Sequence, residues 1–102
     1  MRLGVITGLA RESECLDVFP AGQRPAVRCA GAKSDRAHVL ARELADEGCQ
    51  GLLSFGTAGG LTADQPPGGL IIASSVTAPD GRVFETSKPW LDRVQNILGP
   101  DD

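Results

Sequence analysis

The chain has 102 residues, 41% hydrophobic and 4% aromatic, with 13 glycines, 7 prolines and a formal net charge of −3. That is enough chain for one globular α/β domain over residues 1–102 with a modest core, and too little for a second independent module. An acidic chain without a Lys/Arg cluster offers no electrostatic footprint for nucleic acid or an anionic membrane, and no apolar run approaches spanning length.

The first residues, Arg2 to Thr7, carry the apolar run Leu3 to Ile6 and predict a strand that starts almost at once. Its apolar stretch is too short for the core of a signal peptide. Gly8 allows a sharp turn, and Ala10 to Val18 predicts a short helix that Phe19-Pro20 ends. Pro25 to Ala30 reads as a second, weaker strand. Ser34 is the expected N-cap of the next helix, where Ala37, Leu40, Ala41 and Leu44 repeat near a period of 3.6 up to Gly48.

The third strand opens at Gly51. Leu52, Leu53 and Phe55 suit a strand covered on both faces, and the strand–helix–strand order favours parallel pairing through a right-handed crossover. It runs into the glycine-rich loop Gly56-Thr57-Ala58-Gly59-Gly60-Leu61. Glycine there permits positive φ and close approach of a ligand, and exposed loop N–H groups at the carboxyl end of a strand make a concavity for an anion or a polyol. The spacing matches neither the dinucleotide fingerprint nor the P-loop.

Thr62 to Pro67 is turn-like, and Gly69 to Val76 predicts a β-branched strand. Pro79-Asp80-Gly81-Arg82 has the residues of a turn, and Val83-Phe84 those of a short return strand. Ser87 is expected to cap a helix running to Leu98, with Pro89 in its first turn and Trp90, Leu91, Val94, Ile97 and Leu98 on one face. Gly99 to Asp102 forms a polar tail. Cys15, Cys29 and Cys49 are odd in number and contain no C-x-x-C pair, so they read as small buried hydrophobes of a cytoplasmic protein rather than as disulfides or zinc ligands. The expected fold is a mostly parallel sheet of about four strands flanked by helices.

Three stretches together resemble the nucleoside phosphorylase and nucleosidase superfamily: Gly4-Val5-Ile6-Thr7-Gly8-Leu9 with Glu12, then Ser54 to Leu61, then Pro67-Gly68-Gly69-Leu70-Ile71-Ile72. With the turn Ala78 to Arg82, the likeness is greatest to the hopanoid-associated phosphorylase-like proteins. The resemblance implies a phosphorylase/hydrolase-like fold truncated at its carboxyl-terminal side. It also implies cleavage of the N-glycosidic bond of a purine nucleoside, with release of adenine from a hopanoid precursor in that branch. Phosphate or water is the co-substrate, without a cofactor or a metal.

By the same resemblance Glu12 is the catalytic carboxylate, and Gly8, Thr57, Ala58 and Gly59 bind the substrate. Ser54 stands where phosphorolytic members carry an Arg, three residues before Thr57, and only an inward-turned Arg11 could replace it. The acid that protonates the purine and the carboxylate that holds the ribose belong to a later segment of the family's domain, and neither Asp101, Asp102 nor His38 maps onto them. The isolated chain is therefore expected to be inactive, and to form a homo-oligomer or associate with a carboxyl-terminal segment. The alternative is a non-catalytic module for ligand binding or subunit association.

Overall fold

The computed structural model describes residues 2–58, 63–64 and 67–98. Contacts divide the chain into two units, Met1–Gly59 and Gly60–Asp102.

In the first unit, β1 (Leu3–Thr7), β2 (Ala26–Cys29) and β3 (Gly51–Ser54) form a parallel sheet in the order β2-β1-β3. Val5 stands opposite Val27 on one side and Leu53 on the other. Between β1 and β2 lie α1 (Ala10–Glu14) and a 3₁₀ turn, Cys15–Val18; between β2 and β3 lies α2 (Ser34–Asp46). Parallel strands need such crossovers: the first joins the neighbours β1 and β2, and the second carries the chain past β1 to β3.

Side chains alternate across β1, and the two faces receive different helices. Thr7 points to the α1 side, where its hydroxyl lies 2.6 Å from that of Ser13. Gly4 points the other way. A Cβ on Gly4 would lie 3.0 Å from Leu44 Cδ1 and from Leu52 Cδ2, so the missing side chain is what lets α2 sit down on the strand. Leu44 and Val5 are fully buried, one on each face, and with Leu16, Ala30 and Leu40 they make the core of the unit. Burying one such side chain contributes about 1.5–3 kcal/mol.

The period in α2 is realised, with Leu40 and Leu44 buried. Its start differs from expectation: Lys33 is the N-cap and Ser34 the first helical residue, without a side-chain cap. Its end is a Schellman motif. The Cys49 N–H donates to the Leu44 carbonyl (3.0 Å), the Gly48 N–H donates to the Ala45 carbonyl (3.1 Å), and Gly48 takes φ 97°. At the same end of the sheet Arg28 pairs with Glu47 at 2.8 Å.

The third strand does not have the two covered faces that its composition predicts. Leu52, Leu53 and Phe55 are 45%, 39% and 38% exposed, because β3 is an edge strand and α1 packs chiefly on β1 and β2. Nor are the cysteines all buried: Cys15 is exposed at the start of the 3₁₀ turn, its Sγ near the Arg11 carbonyl, while Cys29 and Cys49 are half-buried.

The second unit holds an antiparallel hairpin of β4 (Ser75–Thr77) and β5 (Val83–Glu85), followed by α3 (Lys88–Leu98). The predicted strand over Gly69 to Val76 is thus confined to its last residues. β-branched composition provides propensity but no ladder partner, and the one partner among the described residues is the short β5, which pairs from Ser75 to Thr77. The hairpin forms because Gly81 takes φ 88° after a turn closed by its N–H donating to the Ala78 carbonyl, with the Ala78 N–H donating to the Arg82 carbonyl beyond it. Asp80 fixes the same turn by accepting from the Arg82 N–H and guanidinium. At the head of α3 the Ser87 hydroxyl accepts from the Trp90 N–H at 3.4 Å, the predicted cap, and Pro89 lies in the first turn. Among the described residues no helix is long and apolar enough to cross a membrane.

Candidate functional site

The loops that follow β1 and β3 meet at the carboxyl ends of two adjacent strands. The order of strands reverses here: the chain leaves β1 for β2 on one side and returns, through α2, to β3 on the other. In open α/β sheets the crevice at such a point is where ligands bind, because the two loops diverge and leave a gap. A cleft of about 430 Å³ occupies the gap, lined by Gly8, Leu9, Glu12, Ala32, Ser54, Phe55, Gly56, Thr57 and Ala58.

One side chain ties the two loops. Glu12 stands at the third position of α1, reaches back to the start of its own helix, and accepts at Oε1 from the N–H groups of Gly8 (3.0 Å) and Leu9 (2.9 Å). This is the acidic half of a capping box, and Leu9, with no side-chain oxygen, cannot supply the other half. Oε2 accepts from the Thr57 N–H (2.7 Å) and from the Thr57 hydroxyl (2.9 Å). Four donors therefore converge on a carboxylate with about four lone-pair sites.

The electrostatics follow from that geometry. Hydrogen bonds to the charged form hold the Glu12 carboxyl below its ordinary pKa, the Thr57 N–H most of all, then the Thr57 hydroxyl and the Leu9 N–H, against the opposing effect of burial, with the Gly8 N–H adding to the lowering. Glu12 is ionised at neutral pH. It is also the one charged residue among the described residues that line the cleft.

Gly56 is glycine for a steric reason. A Cβ on it would lie 2.7 Å from Cδ, Oε1 and Oε2 of Glu12. The positive φ that the glycine loop suggested is not found at Gly56; it occurs instead at Gly31 (65°) and at Ala32 (61°), which borders the cleft after β2. An alanine in the left-handed region costs about 1–2 kcal/mol, and here it places backbone rather than a large side chain at the cleft wall.

Of the residues singled out in the sequence, Gly8, Glu12, Thr57 and Ala58 come together in this one cleft, and Gly59 lies outside the described residues. The loop is expected to expose the Thr57 hydroxyl and to turn the Ala58 and Gly59 N–H groups to solvent or a bound anion. Thr57 is exposed as a residue, but its hydroxyl, like its N–H, is taken by the chain's own carboxylate. Arg11 is exposed and does not line the cleft, and His38 is exposed on α2. Leu9, Ala32, Ser54, Phe55 and Gly56 complete the wall. Gly56 was legible as a point of close approach, although the group that approaches is Glu12 rather than a ligand. Among the described residues no cluster of His, Cys, Asp or Glu could hold a metal ion. Comparison with protein-family models, with curated proteins and with solved structures finds no match.

Proposed function

We propose that the cleft is the part of a purine N-glycosidase or nucleoside phosphorylase site that faces the sugar and its attacking nucleophile. The observation that carries this reading is the ionised Glu12 held between the loops after β1 and β3 at the switch point of the sheet. Cleavage of an N-glycosidic bond builds positive charge on the sugar as the carbon–nitrogen bond breaks and its electron pair leaves with the base. A preorganised carboxylate at the cleft wall stabilises that charge without reorganising. Thr57 and the backbone at Gly8 and Ala58 position the sugar against it, with phosphate or water as acceptor.

The leaving base also requires a proton. No described residue lining the cleft is an acid suited to give it, since Glu12 is ionised and the others are apolar, glycine or hydroxyl-bearing. Loss of acid catalysis costs about 10²–10⁴ in rate. The 102-residue chain is accordingly expected to bind a purine nucleoside and to release the base very slowly. The test is titration of the ¹⁵N-labelled chain with adenosine. Shifts centred on Gly8, Glu12, Thr57 and Ala58 support the reading; shifts centred elsewhere, or none, reject it.

A second reading, a module for subunit association, is favoured by a different observation. Leu70, Ile71, Val83, Phe84 and Ile97 in the second unit are each more than half exposed. Where such residues form one contiguous patch they mark an interaction surface, and the second reading takes them so. Light scattering over a concentration series tests it, and a monodisperse monomer with a concentration-independent thermal transition would reject it.

A further inference from the structure

We infer that the cleft selects an uncharged, hydroxyl-bearing ligand and excludes oxyanions, so that the acceptor in the proposed reaction is water and not phosphate. The inference deepens the functional reading above and rests on the same cleft, but it concerns what the cleft binds rather than whether a base is released.

Three observations carry it. First, four donors that could have cradled an oxyanion are spent: the Gly8, Leu9 and Thr57 N–H groups and the Thr57 hydroxyl all point at Glu12. Second, the carboxylate they hold is the one charged group among the described lining residues, so a phosphate entering the cleft meets a fixed negative charge and no lining cation. At a few ångströms, and at the effective dielectric of a protein surface, that repulsion exceeds what an added neutral hydrogen bond returns. Ser54 at the wall supplies a hydroxyl, not a positive charge, and Arg11 stands outside. Third, Thr57 Oγ1 has committed its single hydrogen to Glu12. Towards any ligand it can only accept, and it therefore asks for a donor: a sugar hydroxyl or a water.

With water as acceptor the step balances without a further reactant. The water oxygen bonds to the anomeric carbon as the carbon–nitrogen bond breaks, the electron pair leaves on the base nitrogen, the nitrogen gains a proton and the water loses one.

The experiment is a pair of titrations of the full chain, one with ribose and one with inorganic phosphate, at matched ionic strength and pH 7, read from amide shifts at Gly8, Leu9, Thr57 and Ala58. Ribose is expected to shift these residues with an affinity at least about tenfold above that of phosphate. Phosphate binding at these residues as tightly as ribose, or ribose leaving them unmoved, overturns the inference. Thr57→Val keeps the N–H that Glu12 accepts and removes the hydroxyl oxygen; it is expected to lose the ribose shifts, and their persistence counts against the role given to Oγ1. Glu12→Gln, where it folds, is expected to raise phosphate affinity by about tenfold. Adenine release is measured separately from adenosine. Its absence bears on the glycosidase reading alone, whereas phosphate binding in the cleft bears on the choice of ligand alone.

Discussion

Glu12 and Gly56 fit together as a carboxylate and the space left for it: a Cβ at Gly56 would stand 2.7 Å from three atoms of the carboxyl group. That group cannot swing aside without giving up hydrogen bonds to both loops. Gly56→Ala is therefore expected to lower the denaturation midpoint and to move the amide signals of Gly8, Leu9 and Thr57 together. Gly22 makes the control, because nothing lies within 4 Å of the Cβ it would gain. Gly22→Ala should change stability by no more than about 0.5 kcal/mol.

The pH dependence has a definite sign. The folded pKa of Glu12 is lowered, so its contribution to stability is complete above the unfolded value of about 4.3 and is lost as pH falls through the folded value. Between pH 7 and pH 5 this group should leave stability unchanged. Below about pH 4.3 the stability of the wild-type chain should fall towards that of Glu12→Gln, whose side chain does not titrate. Urea melts of both proteins across this range check it, and a gap that stays constant to the lowest pH would show that the tie does not depend on charge.

Two left-handed residues should respond in opposite directions to similar edits. Gly48 holds φ 97° at the end of α2, so Gly48→Ala is expected to cost about 1–2 kcal/mol. Ala32 holds φ 61° with a Cβ it does not need for that conformation, and Ala32→Gly is expected to stabilise the chain by up to about 1 kcal/mol. Chemical denaturation of the two variants side by side decides the matter.

Leu44 is fully buried against the face of β1 that Gly4 leaves bare. Leu44→Ala should destabilise by about 2–5 kcal/mol, by lost transfer energy and by the cavity left behind. Gly4→Ala acts on the same contact from the other side, adding a methyl where Leu44 and Leu52 already stand at 3.0 Å, and is expected to cost about 1–3 kcal/mol. A Gly4→Ala variant as stable as the wild type would show that the helix can lift from the strand freely.

What the sequence revealed depended on whether the cause was local. The run Leu3–Ile6, the period of Leu40 and Leu44, the glycine ending α2 and the serine opening α3 act within a few residues of themselves, and each appears in the structure at its expected place. The residues Gly69 to Ser74 failed as a strand because pairing is decided by a partner that propensity does not contain. The same limit explains Leu52 and Leu53, whose apolar character does not say whether a further layer covers them. At the site, Glu12 and Thr57 could be picked out separately, but their bond joins residues far apart in the chain. Nothing in the spacing of either residue announces it.

The same bond should be among the last contacts of the unit to form. Glu12 and Thr57 are 45 residues apart, and the chain between them contains β2, α2 and β3, so their contact is expected to close after both crossovers have formed and the third strand has docked. Local turns of α1 and α2 can form in microseconds, whereas a contact of this separation waits on the entropy of closing the whole intervening chain. Substitutions that break the tie should consequently speed unfolding and leave the refolding rate nearly unchanged. Before β3 docks, the capping carboxylate at Gly8 and Leu9 would have no second wall, so the cleft should belong to the finished unit and to nothing earlier.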